Sequence, residues 1–185
     1  MGRNITKKWL LDNNACSVGY NWFCNQKEKD EINVIKQLMK EKRFSWANWV
    51  IARRIKYNQY VEYIIYSAKQ VLSVYEKKFP DDNRPRKAIK AAEICIKNQS
   101  KKNKKHATEL AHAASDAFYE VYGIDTAAAY AAADAANAAY NSAYIDYYNN
   151  TICLGSCFFL AINTDYINLK KKIIAYGISL IKTKP

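Results

Sequence analysis

The chain has 185 residues and a net charge of +12; half of its residues are hydrophobic and a quarter are charged. This composition is that of a globular protein with a buried core, and it excludes an intrinsically disordered chain. Five Gly and three Pro are too few for the turns of a β-rich protein. We therefore predict a single compact all-α domain over residues 1–185, with eight to nine helices.

The charge is distributed unevenly along the chain. Residues 1–58 and 59–106 each carry 12 basic and five acidic residues, whereas residues 107–165 carry seven acidic residues and no Lys or Arg. Residues 166–185 carry five Lys and no acidic residue. Because basic surfaces attract nucleic acid, anionic membranes and acidic proteins, an anionic partner is one interpretation. A soluble, self-complementary surface is the other.

The cysteines and the longest apolar run indicate in which cellular compartment the protein is found. Five Cys occur at irregular spacing, and residues 1–13 are polar and charged, unlike a secretory signal. We predict reduced, mostly buried thiols in a cytoplasmic protein. The longest apolar run, residues 152–162, is too short to cross a bilayer and is predicted to be a buried helix or turn. No membrane partner is expected.

Apolar periodicity is helical along most of the chain. Short amphipathic helices are predicted within residues 6–26. Asp30 can cap a helix that runs to about residue 42, and Ser45 can cap the next one. In that second helix Arg53 and Arg54 follow Trp49 and Val50 by four positions, so at least one guanidinium is predicted to stack on a Trp ring.

The clearest helix precedes Pro80. It must end at Phe79, because the residue before a proline resists helical dihedrals. Pro85 then opens another helix, where its missing N–H costs nothing. Residues 98–105 are polar and basic and are predicted to be a mobile linker between two halves of the domain. The helix before Pro80 shows one apolar stripe, made by Val61, Ile64, Ile65, Ala68, Val71, Leu72 and Tyr75.

Three helices are predicted after this linker. The first covers residues 106–122 and ends at Gly123, a residue type favoured just past a helix end. Asp125 or Thr126 caps the second, a long Ala-rich helix that runs to about residue 149. The third covers about residues 166–182 and is predicted to bury Ile167, Ile173, Ile174, Ile178 and Ile181 and to expose Lys170, Lys171 and Lys172.

The Ala-rich helix has two faces at 100° per residue. One face holds alanines and would allow a neighbouring helix axis to approach closely. The opposite face is predicted to be wet and adhesive, because Tyr supplies a large contact area at low entropic cost. It consists of Tyr130, Asp134, Asn137, Tyr140, Asn141 and Tyr144.

No sequence pattern of a catalytic or cofactor site is present. The phosphate-binding loop, the nucleophile elbow, the zinc-protease motif and the dinucleotide-binding motif are all missing. His112 and Asp116, four residues apart, could provide only half of a metal site. Cys153 and Cys157 have the wrong spacing for a zinc ribbon or a redox pair. We predict a protein that is not an enzyme and needs no cofactor or metal.

The candidate partner-binding residues form a basic group and a tyrosine group. Positive charge is unfavourable at a helix start, so the basic residues after Asn83 form either a local salt-bridged turn or a contact for an anionic partner. The linker lysines favour at most non-specific phosphate attraction. The basic group is Arg84, Arg86, Lys87, Lys90, Lys101, Lys102, Lys104 and Lys105. The tyrosine group is Tyr130, Asp134, Tyr140 and Tyr144.

Two blocks of sequence resemble a known family. One contains residues 15–23 and the Trp-Ala-Asn-Trp motif at residues 46–49. The other covers residues 63–90 and contains Pro-Asp-Asp-Asn-Arg-Pro-Arg-Lys-Ala at residues 80–88. Followed by an Ala/Tyr-rich helix, these blocks resemble the small all-α immunity proteins of bacteria, phages and prophages, over roughly residues 8–145. The resemblance implies a protein that binds and neutralises another protein, and it names no catalytic residue.

Together these features predict an inhibitory binding protein of phage or prophage type. Its target would be a toxin or a defence effector such as a CRISPR nucleoprotein, as in anti-CRISPR inhibitors, with or without contact to the effector's nucleic acid. A direct nucleic-acid-binding module is one alternative, and an enzyme whose site is assembled from distant helices is another. A homodimer is also compatible with the Ala-rich, Tyr-bearing helix.

Overall fold

The computed structural model describes residues 3–123, 125–144 and 167–183. Within them the backbone forms nine helices, and the sole strand-like feature is a bridge between Asn4 and Asp30. The all-α prediction is confirmed. The helices are α1 Lys7–Asp12, α2 Ser17–Cys24, α3 Glu31–Lys40, α4 Phe44–Arg54, α5 Tyr57–Lys78, α6 Arg84–Lys97, α7 Lys101–Val121, α8 Thr126–Ala143 and α9 Ile167–Lys182.

The helix starts follow the capping signals in most cases. The Asp30 carboxylate accepts hydrogen bonds from two backbone N–H groups of α3, as predicted. Asp125 likewise accepts from the Ala128 N–H, at 2.8 Å, and caps α8. The prediction for Ser45 is wrong, because α4 already begins at Phe44 and has no side-chain cap. The predicted stop at Phe79 is confirmed.

Helices α5 to α8 form a four-helix bundle in which consecutive helices run in opposite directions. Arg84 at the start of α6 contacts Glu120 near the end of α7, and Lys78 at the end of α5 lies 3.7 Å from Asp125 at the start of α8. At the other end of the bundle Gln99, just past α6, donates to a carbonyl in the last turn of α8. Helix α8 packs against α5, α6 and α7, while α9 packs against α4 and α5.

The alanine face of α8 is confirmed as a buried face. Small side chains on that face let three neighbouring helices approach the α8 backbone. The polar face is narrower than predicted, because Asp134 is 0% exposed and Asn141 is 6% exposed. Among the described α8 side chains Tyr140 alone is classed as exposed. The buried alanines are Ala128, Ala131, Ala132, Ala135, Ala138, Ala139 and Ala143.

The predicted basic linker is mostly helix. The Ser100 hydroxyl accepts a hydrogen bond from the Asn103 N–H at 3.2 Å and caps α7, so residues 101–105 form its first turn. The connection between α6 and α7 is therefore residues 98–100. A lysine-rich segment is equally polar in a loop and on a solvent-facing helical turn, and the serine cap decides between them here.

One lysine of α9 contradicts the prediction. Lys171 and Lys172 are exposed as expected, but Lys170 is 6% exposed and its ammonium lies 5.8 Å from the centre of the Phe44 ring. Burial lowers the pKa of Lys170. The long aliphatic stem of lysine lets such a residue share an apolar face with isoleucines.

Several predictions fall on residues 145–166, which lie outside the described part of the chain. These are the apolar run 152–162, the pair Cys153 and Cys157, and the last turns expected for the Ala-rich helix. Of the three described cysteines, Cys95 is buried, Cys24 is half-buried and Cys16 is exposed. No helix in the described ranges is both long enough and apolar enough to span a membrane.

Candidate partner-binding surfaces

Arg84 forms ion pairs with two carboxylates at one end of the bundle. Its Nε–H and Nη2–H groups donate to the two oxygens of Asp82, at 3.1 and 2.7 Å, and its Nη1–H donates to Glu120 at 2.8 Å. The Tyr75 hydroxyl donates to the same Asp82 carboxylate at 2.6 Å. These contacts, which we call the Arg84 clasp, connect the end of α5, the start of α6 and the end of α7.

The clasp changes the titration of its members. Hydrogen bonds from Arg84 lower the pKa of the Asp82 carboxyl to about 2. Burial and the neighbouring Asp82 raise the pKa of Tyr75 well above its usual range. Hydrogen bonds from Arg84 also lower the pKa of Glu120. Asp82 and Glu120 therefore compensate the charge of Arg84, as the salt-bridged-turn interpretation requires for this residue.

Arg86 makes a second, more exposed ion pair. Its Nε–H and Nη2–H groups donate to the two Glu76 oxygens at 2.6 and 2.7 Å, which is a bidentate pair between α6 and α5. The Arg86 side chain is 62% exposed. Like Arg84, it therefore has an intramolecular partner, and both arginines of the sequence block at residues 80–88 contribute to the structure of the bundle.

The remaining four arginines form ion pairs or stack on tryptophan rings. Arg3 and Arg54 both contact Glu31, which is 2% exposed. The predicted stacking of Arg53 or Arg54 on tryptophan is confirmed for both. All six arginines of the chain therefore have intramolecular partners. The three stacked guanidinium groups are Arg43 over Trp46 at 4.5 Å, Arg53 over Trp49 at 4.2 Å and Arg54 over Trp9 at 4.1 Å.

The exposed lysines of α6 lie on one side of that helix, and two further exposed lysines follow at the start of α7. The three-residue connection places the end of α6 beside the start of α7, and no ion pair in the described part of the chain involves these lysines. Lys105 lies close by but is 3.8 Å from Glu109, and Lys104 is half-buried. We call this surface the lysine face; it comprises Lys87, Lys90, Ile94, Lys97, Lys101 and Lys102.

Ile94 lies among these lysines and is 47% exposed. It follows Lys90 by four residues and precedes Lys97 by three, so the three side chains share one side of α6. Sequence reasoning missed Ile94 and Lys97. The available signal was that Ile94 is out of phase with the buried stripe of α6, which contains Ala88, Ile89, Ala92 and Cys95.

The predicted tyrosine group does not form one surface. Asp134 is buried, while the rings of Tyr140 and Tyr144 contact each other with centroids 4.6 Å apart. Tyr130 instead joins aromatic residues of α7 at the end of the bundle. Burial and the neighbouring Tyr122 raise the pKa of Tyr130.

The aromatic cluster around Tyr130 was not predicted. Neighbouring ring centroids lie 4.9 to 6.4 Å apart. Tyr119 is 74% exposed and Tyr122 is 52% exposed. The contact depends on the α7–α8 pairing, which the local sequence does not reveal. We call this cluster the tyrosine end; it comprises Phe118, Tyr119, Tyr122 and Tyr130.

A groove of about 350 Å³ lies between α5, α6 and α9. The rings of Tyr66 and Tyr176 stack within it at 4.0 Å, and an ion pair between Lys69 and Glu93 joins its walls at 2.8 Å. Lys97 of the lysine face lines one edge. Among the described residues no three His, Cys, Asp or Glu side chains are grouped to hold a metal ion.

Exposed aromatic side chains such as Tyr119 and Tyr122 are of a type that is enriched at protein interfaces. The model of the family described as Imm-5 like putative immunity protein matches residues 53–146, about half of the chain, and the chain belongs to this family. The matched residues hold helices α5 to α8 and the Arg84 clasp. Residues 8–52, where the resemblance was also expected, lie outside the match. No curated protein and no solved structure matches the chain.

Proposed function

We propose that this protein neutralises a toxin or a defence effector by binding it, and that the lysine face contacts an acidic surface of that protein. Membership in a family of immunity proteins supports a protein partner and a role other than catalysis. The observation that carries the proposal is the contrast between the two kinds of cation. All six arginines have intramolecular partners, whereas the lysines of the lysine face have none among the described residues.

Ile94 favours a protein partner over nucleic acid. Protein interfaces commonly combine an apolar centre with a polar rim, and Ile94 surrounded by lysines has this arrangement. Surfaces that bind single-stranded nucleic acid usually place aromatic rings between their cations, and the lysine face has none. An acidic protein surface with a small apolar depression is therefore the best fit.

Two classes of target are compatible with this surface. A toxin would offer acidic side chains alone, whereas a CRISPR-type effector would offer acidic side chains together with RNA phosphates. The alternative function, direct binding of nucleic acid, requires phosphates alone. The three cases differ in their response to nuclease treatment and to salt, because phosphate contacts make log K fall linearly with log salt concentration.

The test is affinity purification of the tagged protein from cells that carry candidate effectors, with and without nuclease treatment. The variant Lys87→Glu/Lys90→Glu reverses two charges of the lysine face. The control Lys36→Glu/Lys171→Glu makes the same change of net charge at exposed lysines of α3 and α9.

We expect one stoichiometric protein partner. The lysine-face variant should recover at least about tenfold less of this partner, and the control should recover as much as the wild type. Close charge pairs in other interfaces have coupling energies large enough for such a decrease. Equal retention by both variants would remove the lysine face from the proposal. Recovery of nucleic acid alone would replace the proposal by the alternative function. Recovery of the chain's own second copy alone would indicate a homodimer and contradict neutralisation.

A further inference from the structure

The tyrosine end is an exposed aromatic surface at the end of α7, far from Lys101 and Lys102 at the start of that helix. Tyr119 and Tyr122 belong to the few large hydrophobic side chains that are exposed. The start of α7 lies about 30 Å from its last turn, at 1.5 Å per residue. Lys101 and Lys102 of the lysine face are therefore distant from the tyrosine end, whereas Lys87 follows Arg84 by three residues and lies at the same end of the bundle as Glu120.

Among the described residues no cation lies over the ring of Tyr119 or of Tyr122. Elsewhere in the described part of the chain five cations lie over aromatic rings, three of them arginines over tryptophans. None of these five pairs involves Tyr119 or Tyr122. Residues 107–165 contain no Lys or Arg, so neither the rest of α7 nor α8 supplies one. The negative faces of Tyr119 and Tyr122 are thus available to a cation from outside.

A carboxylate completes this surface. Asp116 precedes Tyr119 by three residues on the exposed side of α7, so the two side chains are neighbours. Within the described residues Asp116 has no ion pair. The next carboxylate, Glu120, is already held by Arg84. One available carboxylate beside two exposed tyrosine rings is a combination suited to a guanidinium group, which can stack on a ring and form an ion pair simultaneously.

We infer that the tyrosine end together with Asp116 binds an arginine-bearing segment of a protein partner. The guanidinium stacks on Tyr119 or Tyr122 and pairs with Asp116. Lysine fits less well, because its compact ammonium is strongly hydrated and lacks the planar face that stacks on an aromatic ring. Nucleic acid is disfavoured, because the exposed Asp116 carboxylate beside the rings repels a phosphate.

The experiment is a titration of the isotope-labelled full chain, followed by backbone amide NMR shifts. The probe is the peptide acetyl-Gly-Arg-Gly-Arg-Gly-amide, and the matched peptide has Lys in place of each Arg. We expect saturable shifts concentrated at residues 116–122, with weaker binding of the lysine peptide. Equal affinity for the two peptides, or equal shifts near exposed carboxylates such as Asp12 and Asp81, would overturn the inference.

Substitutions in the tyrosine end and at Asp116 test which side chains contact the arginine peptide. Tyr119→Ala/Tyr122→Ala should weaken arginine-peptide binding by about fivefold to tenfold, as expected for the loss of exposed cation–π contacts, and Asp116→Asn should weaken it about twofold to threefold. Tyr140→Ala, which removes an exposed ring on α8, is the matched control and should leave binding unchanged. Because Tyr119 and Tyr122 are exposed, these variants should fold, which circular dichroism verifies. A folded double variant that binds the peptide as well as the wild type refutes the inference.

Discussion

The Arg84 clasp allows a quantitative prediction, in which Arg84→Met lowers the free energy of unfolding by about 1 to 2 kcal/mol. Methionine keeps the apolar stem and removes the charge. The pKa of Asp82 falls from 3.8 to about 2, and at 1.36 kcal/mol per pKa unit the whole shift corresponds to about 2 kcal/mol. The Arg84 side chain is its largest cause, whereas the hydrogen bonds from the Tyr75 hydroxyl and the Arg84 backbone N–H remain in the variant. Glu120 adds little, because its side chain is 59% exposed.

Urea unfolding at pH 7, followed by circular dichroism, measures this change, with an unaltered slope and a lower midpoint. Arg86→Met is the matched control. It also breaks a bidentate pair, but Arg86 is 62% exposed and Arg84 is 31% exposed. We expect the control to cost about 1 kcal/mol or less. If Arg84→Met costs no more than Arg86→Met, the assignment of the clasp as a stabilising element is wrong.

The pH dependence provides an independent check on the same reasoning. Asp82 has a lower pKa in the folded than in the unfolded protein, so its contribution is fully present above the unfolded value and is lost as the pH falls toward 2. The stability difference between wild type and Arg84→Met should therefore shrink between about pH 5 and pH 2. A difference that stays constant over this interval would show that Arg84 stabilises by packing, not by its charge.

Two packing predictions follow. Gly177→Ala should lower the stability by about 1 to 3 kcal/mol in thermal melts, because a Cβ there would lie 2.7 Å from Ile51 Cγ2. Gly123→Ala is the control. A Cβ at Gly123 meets nothing within 4 Å, so this variant should be as stable as the wild type or slightly more stable. Ala135→Leu should also destabilise the protein, since Ala135 is 0% exposed and a leucine there would be too large for the space between the helices. Ala133→Leu at a half-buried position should cost clearly less, and equal melting temperatures for these two variants would contradict the α8 orientation.

Local signals predicted most of the helices. The apolar stripe of α5, the stop before Pro80 and the caps at Asp30 and Asp125 each depend on residues a few positions apart, so the sequence alone determines them. The start of α7 was misplaced because lysines are equally polar in a loop and on a helix surface. The readable signal was Ser100, which caps α7.

The surfaces were harder to predict, because they depend on which helices are neighbours. Periodicity placed Asp134 on the polar side of α8, but three surrounding helices leave little of α8 exposed. Arg84 looked available to a partner because Glu120 is 36 residues away in sequence. The tyrosine end required the pairing of Tyr130 on α8 with Tyr122 on α7. None of these contacts follows from spacing along one helix.

The arginines form intramolecular pairs that stabilise the fold, whereas the lysines of the lysine face are exposed and are proposed to bind a partner. A guanidinium fork suits fixed internal pairs, whereas an ammonium is strongly hydrated and is easily left in water. Charges on the lysine face can therefore be altered with little effect on stability, while Arg84 cannot. Long-range attraction by exposed lysines speeds encounter but is screened by salt and selects poorly among acidic partners. Selectivity must then come from short-range contacts, for which Ile94 and the tyrosine end supply the exposed apolar and aromatic area.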